Sequence, residues 1–484
     1  MPKIRKFDTK VQYIEYRVLR ELARALWNDK LLHKINSIPS DIIAKNESPL
    51  RCCIYKDRAI IQERIKIAIG ANDENNKNVI QVISIACDEC PHSGYSITDT
   101  CRGCMAHRCE DVCKFGAISY DENQRAIIDK QKCKNCGACA KVCPYSAIVN
   151  KKRPCENACK IGAISMSKTG EAEIDYDKCT SCGACVYQCP FGAVVDRSYI
   201  LDVIDIIKES ENNTKYKVYA AVAPSIAGQF SYAKSGQILA GIKELGFYDI
   251  VEVALGADMV SIDEAKEVSE TKSFVTSSCC PAFVSYIEKN QPQLKEHISK
   301  NPSPMAMTGK KIKELDENAK VVFIGPCTAK KAEFQREEVK PYIDYAITFV
   351  ELQALFDSRD IEISELSEIS LDNASYFGRI FARSGGLTEA IREGLKENGC
   401  DEFEFKPVTC NGIEECKLAL LKAKKGILDV NFIEGMACEG GCIGGAGCLT
   451  HADINKKSVD KYAVEAEKKT ITQSIKDFQN IKNI

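Results

Sequence analysis

The spacing of apolar positions changes along the chain, and its first part is helical. Over residues 1–75 apolar side chains recur three and four residues apart, as at Ile14, Val18 and Leu22. This spacing predicts amphipathic helices with one face on a core. Thr9, just before the pattern begins, is a suitable N-cap for the first of them.

The last part of the chain has a different pattern. A polar, charged stretch at 201–215 is interpreted as a linker. Over 216–484, short apolar runs at 218–222, 321–324 and 430–433 alternate with helical stretches. This alternation is typical of an α/β domain with a mostly parallel sheet.

Between these parts, residues 76–200 repeat a short phrase four times. A cysteine is followed four residues later by Ala-Ile or Ala-Val, starting at Cys113, Cys143, Cys159 and Cys189. Four copies predict two modules of two half-sites each. The predicted fold class is therefore multidomain α+β and α/β, with an N-terminal helical segment, two small modules and a C-terminal α/β domain.

Composition and charge narrow the function. The chain has 484 residues, 45% of them apolar and 28% charged, with a net charge of −2, so we expect neither a nucleic-acid nor a membrane partner. No apolar run reaches the ~18–20 residues that span a bilayer, and no signal peptide is expected, which favours a cytoplasmic location. The 27 cysteines of such a chain indicate metal binding rather than a disulfide scaffold.

Two cysteine runs have the spacing of bacterial ferredoxins, with a fourth cysteine before proline. They are Cys133-x2-Cys136-x2-Cys139-x3-Cys143 and Cys179-x2-Cys182-x2-Cys185-x3-Cys189. Three thiolates on a tight loop hold one 4Fe-4S cluster, and the fourth cysteine ligates the other cluster of the pair. The middle region is therefore predicted to contain two ferredoxin-like iron–sulfur modules. Zinc binding is the weaker alternative.

The same crossing rule groups the remaining cysteines. It predicts three sets: Cys133, Cys136 and Cys139 with Cys113; Cys101, Cys104 and Cys109 with Cys143; and Cys179, Cys182 and Cys185 with Cys159. Cys155 and Cys189 then need two more ligands. Cys87 and Cys90 would complete a fourth cluster, unless they are spare or exchange roles with Cys101 and Cys104. Several clusters in series make an electron-transfer chain, which needs a terminus.

Three cysteine-bearing phrases stand in the C-terminal half, each after a short apolar run. They are Thr276-Ser277-Ser278-Cys279-Cys280-Pro281, Gly325-Pro326-Cys327-Thr328-Ala329-Lys330 and Glu434-Gly435-Met436-Ala437-Cys438-Glu439-Gly440-Gly441-Cys442. If the runs are parallel strands, the phrases share the carboxyl edge of the sheet, where α/β proteins bind ligands. Converging cysteines there indicate a metal cofactor rather than structural thiols.

In this order, behind ferredoxin modules, the phrases closely resemble the signature motifs of the iron-only (FeFe) hydrogenases, over about residues 216–460. The resemblance implies an H-domain that binds an H-cluster. This cofactor is a 4Fe-4S cube joined to a two-iron unit with carbon monoxide, cyanide and azadithiolate ligands. It also implies reversible reduction of protons to dihydrogen, a ferredoxin or similar small electron carrier, and maturation proteins that insert the two-iron unit.

The resemblance also implies residue roles. Cys280, Cys327 and Cys438 match cube ligands, and Cys442 matches the ligand that bridges cube and two-iron unit. Lys330 is expected to bind a cyanide, because a buried ammonium needs an anionic partner. The residues expected around the two-iron unit are Ala223, Pro224, Ser225, Ser303, Pro304, Gly325, Pro326 and Met436.

Proton transfer is the second set of implied roles. Cys279 matches the family's proton-passing cysteine, and a thiol with a pKa near ~8.5 is suited to this. Glu264, Glu267 and Ser299 resemble the chain of carboxylates and a serine behind it. The alternative is that Ser261-x-x-Glu264 is a capping box and that both glutamates lie on a solvated helix face.

The sequence also departs from the family pattern. Ser278 is an extra residue in the first motif, Gly325 replaces a methionine and is expected to leave space beside the two-iron unit, Met305 replaces a polar amide, and Thr271 replaces an arginine. These changes indicate a divergent subgroup without altering the ligands. Two other functions stay open: a low-activity hydrogen sensor and a non-enzymatic, hydrogenase-like iron–sulfur assembly protein.

Overall fold

The N-terminal segment is helical where it is described. The structure is a computed structural model that describes residues 7–45, 50–70, 76–451 and 453–481, so parts of the predicted 1–75 segment lie outside the described residues. Its helices are α1 (Lys10–Trp27), α2 (Leu31–Lys34), α3 (Ile38–Ile42) and α4 (Ile54–Ala68). Thr9 caps α1, since its side chain accepts a hydrogen bond from the Gln12 amide.

The middle region consists of short helices and two-stranded ladders. Its elements are β1 (Ile80–Val82), β2 (Gly94–Ile97), α5 (Arg108–Asp111), β3 (Ile118–Tyr120), β4 (Ala126–Ile128), α6 (Ala138–Val142), β5 (Ile148–Lys151), α7 (Pro154–Ala158), β6 (Ile164–Met166), β7 (Ala172–Ile174), α8 (Ala184–Gln188) and β8 (Val194–Asp196). The antiparallel pairs are β2–β5, β3–β4, β6–β7 and β1–β8.

The pairing of β1 with β8 joins distant parts of the chain. Ile80 pairs with Asp196 and Val82 with Val194. The segment that carries Cys87 and Cys90 therefore belongs to the second ferredoxin-like module, and the first module, bounded by β2 and β5, is inserted within it. This placement disagrees with the alternative in which Cys87 and Cys90 exchange roles with cysteines of the first module.

The C-terminal part is an α/β domain whose strands are all parallel to their neighbours. Its elements are α9 (Ile200–Glu209), β9 (Val218–Val222), α10 (Ser235–Glu244), β10 (Asp249–Glu252), α11 (Val253–Glu270), β11 (Val275–Thr276), α12 (Pro281–Asn290), α13 (Pro304–Leu315), β12 (Lys320–Gly325), α14 (Thr328–Glu333), β13 (Tyr345–Thr348), α15 (Phe349–Ser358), α16 (Tyr376–Ile380), α17 (Gly386–Glu397), β14 (Pro407–Asn411), α18 (Ile413–Lys424), β15 (Phe432–Met436), α19 (Ile454–Val464) and α20 (Ile471–Ile481).

The parallel strands form two sheets rather than one. The first has the order β10-β9-β12-β13 and the second the order β11-β15-β14. The predicted run at 430–433 is displaced, since β15 spans Phe432–Met436. The strands are rich in apolar residues because helices cover the faces of the sheets, and they supply much of the core.

The predicted linker at 201–215 is wrong for its first nine residues. They belong to α9, whose apolar side chains are buried, including Val203, Ile204 and Ile207. Their apolar residues have helical spacing, whereas the polar residues that predict a linker come after them. Turns occupy the rest of the stretch.

The N-terminal helices brace the C-terminal domain. Val18, Leu19 and Leu22 of α1 are fully or almost fully buried, and α1 packs mainly on α15 and α9. Within the described residues, no helix is long and apolar enough to cross a membrane.

Candidate metal centres and active site

The cysteines of the three C-terminal phrases line one cavity. Cys279 and Cys280 follow β11, Cys327 follows β12, and Cys438 and Cys442 follow β15. β11 and β15 are neighbours in one sheet, whereas β12 belongs to the other. The site therefore lies where the carboxyl ends of two parallel sheets meet.

Local sequence directs two of these cysteines at the cavity. Cys280 is the N-cap of α12, where Pro281 occupies the first turn, and Cys327 is the N-cap of α14. Proline is favoured in a first turn because its missing N–H would be unpaired there anyway. The partial positive charge at a helix N-terminus favours a negatively charged sulfur.

The thiols of the cavity favour their protonated form when nothing is bound. Desolvation raises the pKa of Cys327 to about 12, with a further contribution from Cys280. It raises the pKa of Cys442 to about 12 for the same reasons. A bound metal reverses this preference, because a coordinating thiol is deprotonated. Four converging thiols therefore suit an iron–sulfur cube.

The cavity wall is mostly apolar, with a few polar atoms. Of the residues expected around a two-iron unit, six line the cavity: Ala223, Pro224, Ser225, Pro304, Pro326 and Met436. Ser303 lies behind the wall and accepts a hydrogen bond from the Lys330 ammonium at 3.0 Å. The Ser225 hydroxyl is buried and has no hydrogen-bond partner among the described residues. An unpaired buried hydroxyl is costly, which fits a polar ligand in the cavity.

Lys330 has an anionic partner that the sequence interpretation did not include. Its ammonium lies 2.6 Å from a carboxylate oxygen of Glu333, and both side chains are about nine-tenths buried. It also donates to the Cys279 carbonyl at 3.4 Å. Spacing alone would have found this pair, because residues three apart are neighbours on a helix. Cyanide is thus not required to compensate the ammonium charge.

The space expected beside Gly325 is filled. A Cβ atom at Gly325 would lie 2.5 Å from Cζ of Phe323 and 3.1 Å from Cβ of Ala223. The Phe323 ring also lines the cavity, although sequence reasoning did not select it. The Phe323 ring therefore occupies the space that a larger side chain at position 325 would need. Met305, the other substitution beside the site, is fully buried and also lines the cavity.

The predicted proton-transfer residues come together behind Cys279. Glu264 of α11 is fully buried and accepts hydrogen bonds from the Ser278 amide and hydroxyl at 3.4 and 3.3 Å. Its other carboxylate oxygen has no partner among the described residues. The Ser299 hydroxyl donates to Glu267 at 2.7 Å. Ser299 is held there because its amide donates to the Thr276 carbonyl.

The alternative interpretation of these residues is not supported. Ser261 lies within α11, and its hydroxyl donates to the Ala257 carbonyl, so it is not an N-cap. Glu264 is buried rather than solvated. Ser278, the extra residue of the first motif, contacts Glu264, and Asn301 donates to Glu267 at 3.0 Å. No local motif marked these two contacts, because they join separate segments.

The electrostatic environment of the predicted proton-transfer residues suits proton transfer. Burial, together with the negative charge of Glu267, raises the pKa of Glu264 to about 7, although the hydrogen bonds from Ser278 and the nearby Ser299 hydroxyl oppose the shift. Desolvation and the charge of Glu264 raise the pKa of Cys279 well above its usual range. Glu264 is therefore able to exchange a proton near neutral pH, and Glu267, which is half-buried, links it towards the surface.

Two cysteine sets of the first module each surround a cavity. One cavity is lined by Cys101, Cys104, Cys109 and Cys143. The other is lined by Cys113, Cys133, Cys136 and Cys139. Among the described residues, no three potential ligands converge on the position of a single metal ion. The amides of Ala117 and Asn135 donate to the sulfurs of Cys113 and Cys133 at 3.3 and 3.4 Å.

The second module brings its cysteines together in two sets. Desolvation and the charges of Cys179 and Cys159 raise the pKa of Cys182 to about 11. Likewise, desolvation and the charges of Cys189 and Cys87 raise the pKa of Cys155 to about 11. Six of the eight cysteines also lie in or against one cluster of buried residues: Cys87, Cys155, Cys159, Cys179, Cys185 and Cys189. The grouping agrees with the two sets predicted for this module, the second of which includes Cys87 and Cys90.

The first of these sets lies against the C-terminal cavity. The negative charge of Cys182 contributes to the raised pKa of Cys438, after desolvation and two neighbouring cavity thiols. The Thr328 hydroxyl donates to the Ser181 carbonyl at 2.7 Å. Lys331 is buried between Asp196 of the module and Glu351 of α15, 2.7 Å from each. The module is thus joined to the domain beside the cavity.

Comparison with protein families agrees with this division of the chain. Residues 216–446 match the family described as iron only hydrogenase large subunit, C-terminal domain. Residues 100–147 and 153–193 match the 4Fe-4S dicluster domain. A region similar to the hydrogenase C-terminal domain therefore follows a region similar to 4Fe-4S domains, as the expected fold class requires.

Individual relatives include both hydrogenases and an assembly factor. The chain is 29% identical to Iron hydrogenase 1 of Clostridium pasteurianum over 54% of each chain, so it spans about half of that relative. It is 26% identical to the NADP-reducing hydrogenase subunit HndD of Solidesulfovibrio fructosivorans, over 77% of this chain and 68% of the relative. It is 33% identical to the cytosolic Fe-S cluster assembly factor NAR1 of Botryotinia fuckeliana, over 26% of this chain and 25% of that protein.

A solved [FeFe]-hydrogenase structure, from work on oxygen inactivation of its H cluster, has the same fold in part. It superimposes with a TM-score of 0.50 at 19% identity, covering 59% of this chain and 94% of that chain. This similarity supports the fold of the H-domain, and the expected mixed α/β multidomain fold class is confirmed.

Proposed function

We propose that this protein is an FeFe hydrogenase that reversibly reduces protons to dihydrogen and exchanges electrons with a ferredoxin-like carrier. One observation carries the proposal. Four cysteines from the ends of two sheets line a single apolar cavity together with Cys279, Lys330 and the unpaired Ser225 hydroxyl. Such a cavity suits a cofactor that is mostly inorganic, has a few polar ligands and must be kept from water.

The residues of the cavity fit an H-cluster. Cys280, Cys327 and Cys438 would hold the cube, and Cys442 would join it to the two-iron unit. Lys330 and Ser225 would donate hydrogen bonds to polar ligands of that unit. When bound, the cofactor would supply the redox-active iron site at which dihydrogen is formed or split.

The protein's own residues would move the protons. Cys279 lies in the cavity wall next to Ser278, which contacts the buried Glu264, and Glu264 would exchange a proton with Cys279. From Glu264 the proton would pass by way of Ser299 to Glu267, whose carboxylate is 2.7 Å from the Ser299 hydroxyl. The half-buried Glu267 would then exchange it with solvent.

The ferredoxin-like modules would carry the electrons. The three sets headed by Cys101, Cys133 and Cys179 would each hold a 4Fe-4S cluster. The Cys179 set, which includes Cys182, would be the last relay before the cavity. Exposed Cys136 lies in the first module, which favours this module as the contact for the carrier. Maturation proteins would insert the two-iron unit.

A non-enzymatic iron–sulfur protein, related to the assembly factors, is the second candidate. The ion pair between Lys330 and Glu333 favours it, because it leaves the ammonium compensated without a cyanide ligand. The proton-transfer residues favour the enzyme, since a protein that only holds a cube has no use for them. A low-activity hydrogen sensor would share all of these features and differ in rate.

Infrared spectroscopy of the protein supplied with the two-iron cofactor tests the proposal. We expect sharp carbon monoxide and cyanide bands that are lost in Cys442→Ala, together with dihydrogen production from a reduced dye. Cys400→Ala, a cysteine outside the cavity lining, is the matched control and should retain the bands. A full iron content without the bands would overturn the enzyme proposal and favour the assembly protein.

A further inference from the structure

Arg153 of the second module is a buried cation in an unusual setting. It is 2% exposed and immediately precedes α7, the helix that contains Cys155. Its guanidinium donates to the carbonyls of Pro91, at 3.3 Å, and Gly170, and to the sulfur of Cys87 at 3.8 Å. These partners satisfy hydrogen bonds of the guanidinium. Two of them are neutral carbonyls and the third is a cysteine, which is neutral as a thiol, so none then carries a formal negative charge.

Other buried cations of the protein do have carboxylates. Lys331 pairs with Asp196 and Glu351, and Arg379 pairs with Glu252 at 2.8 Å. For Arg153, no ion pair is formed within the part of the chain that the structure describes. Because an uncompensated buried charge is strongly unfavourable, a negative group is expected beside this guanidinium.

Arg51 and Arg64, two other arginines of this region, already have a carboxylate as a negative partner. Arg51 lies 3.5 Å from a carboxylate oxygen of Asp88, and Arg64 lies 3.9 Å from one of Glu15. Both donate to carbonyls of the loop after Cys189, the Phe191 and Gly192 carbonyls respectively. Of these three arginines, Arg153 is the one that has no carboxylate partner among the described residues.

Arg153 contacts a group of cysteines in the second module. Cys87, Cys155 and Cys189 belong to one cluster of buried residues. Cys90 lies three residues after Cys87, in the segment that the β1–β8 pairing returns to this module. The sulfur of Cys87 accepts a second hydrogen bond from the Ala172 amide at 3.3 Å, and the sulfur of Cys189 accepts one from the Ala193 amide at 3.3 Å. Amide donors directed at cysteine sulfurs stabilise thiolates.

We propose that Cys87, Cys90, Cys155 and Cys189 hold a fourth 4Fe-4S cluster and that the buried Arg153 guanidinium is its counter-cation. Four thiolates around a 4Fe-4S core give a net anion, which supplies the missing charge. Reduction adds one more negative charge beside the guanidinium. Arg153 therefore makes this cluster easier to reduce than it would be without the cation. The inference rests on the proposed cluster chemistry of the N-terminal half and not on hydrogen turnover.

The test uses the full chain reconstituted with iron and sulfide and without the two-iron cofactor. Iron content is measured, and the clusters are titrated with reductant while electron paramagnetic resonance is recorded. In Arg153→Met, one cluster should become reduced only at a more negative potential than in the unmodified protein. Arg153→Lys, which retains the charge, should restore most of the original midpoint. Arg392→Met removes an exposed arginine of α17 and should change nothing.

Two further variants keep the test decisive. Arg153→Gln also removes the charge but retains hydrogen-bond donors for the Pro91 and Gly170 carbonyls, so it replaces Arg153→Met if that variant fails to take up iron. Cys87→Ala should lose the iron of one cluster, and adding Arg153→Gln to it should shift no remaining midpoint. Unchanged midpoints in the neutral variants, or full iron in Cys87→Ala, would overturn the proposal. Absent carbon monoxide and cyanide bands would count only against the hydrogenase.

Discussion

Two regions lie against the cavity, and they are built in different ways. The second ferredoxin-like module is joined to the domain beside it through the Ser181 carbonyl, within a run of cysteines at regular spacing. The proton-transfer chain reaches it through Cys279, Glu264 and Ser299, which come from three separate segments. The first region is a repeated local motif, and the second is assembled only by folding.

The difference follows from what each region must do. A cluster ligand needs its neighbours at fixed spacing on one loop, and it tolerates solvent, as exposed Cys136 shows. A proton carrier needs a shifted pKa, and that requires burial and a particular set of partners. Burial of Glu264 is produced by packing α11 within the domain, so no local sequence pattern encodes it.

The largest expected effect is on proton transfer alone. Glu264→Gln removes the proton-carrying group but keeps the shape of the side chain. We expect dihydrogen production to fall about 10²- to 10⁴-fold, the usual contribution of a positioned acid or base. Activity with a reduced dye measures this, and infrared bands should be unchanged.

Controls for this variant lie on the same helix. Glu264→Asp should recover part of the activity, whereas Glu270→Gln, at the exposed end of α11, should have none of the effect. Equal activity in Glu264→Gln and the unmodified protein would mean that protons use another path.

The next largest effect concerns the junction between the second ferredoxin-like module and the C-terminal domain. Lys331→Met leaves Asp196 and Glu351 buried without their cation, which is expected to lower the free energy of unfolding by about 3–5 kcal/mol. Denaturant unfolding monitored with circular dichroism measures the loss. The exposed pair of Lys178 with Asp175 provides the comparison, and Lys178→Met should be close to neutral. Equal stability of both variants would contradict a structural role for the junction.

The pH dependence of stability tests whether burial shifts the pKa of Glu264, the buried residue of the proton-transfer chain. The pKa of Glu264 is raised from 4.5 to about 7, so the folded state holds its proton more tightly than the unfolded state. Its favourable contribution is present below about pH 4.5 and is lost as pH rises through about 7, a change of roughly 3 kcal/mol. Glu264→Gln should lack this part of the dependence. Parallel stability curves for the two proteins would show that burial does not shift this group.

A smaller effect tests the packing of the cavity wall at Phe323 and Gly325. Gly325→Met places a Cβ atom against the Phe323 ring, and we expect a loss of about 1–3 kcal/mol from overpacking. Combining it with Phe323→Ala should be less destabilising than the sum of the single changes, because the methionine enters the vacated space. Thermal unfolding of the three variants measures this. Additive losses would mean that the two positions do not share that space.

The smallest effect concerns one hydrogen bond between module and domain. Thr328→Val removes the donor to the Ser181 carbonyl and should lower stability by about 1 kcal/mol. Thr328→Ser retains the hydroxyl and should restore it. If Thr328→Ser is as unstable as Thr328→Val, packing of the methyl group rather than the hydrogen bond is what matters.

The sequence by itself determined the domain types, because they depend on local spacing. Ferredoxin runs, the three C-terminal phrases and the alternation of apolar runs are all short-range patterns, and each predicts its element without knowledge of the rest of the chain. The helix at 200–209 also has apolar residues at helical spacing, and the linker prediction is wrong there because it rests on the polar residues that follow the helix.

Tertiary structure alone decided the contacts between distant segments. The β1–β8 pairing attaches Cys87 and Cys90 to the second module, Phe323 fills the space beside Gly325, and Glu264 becomes buried. Each outcome depends on which surfaces pack together across long stretches of chain. Packing and desolvation act on three-dimensional neighbours, and for that reason the charge state and accessibility of the site residues were settled only when the domains had folded against one another.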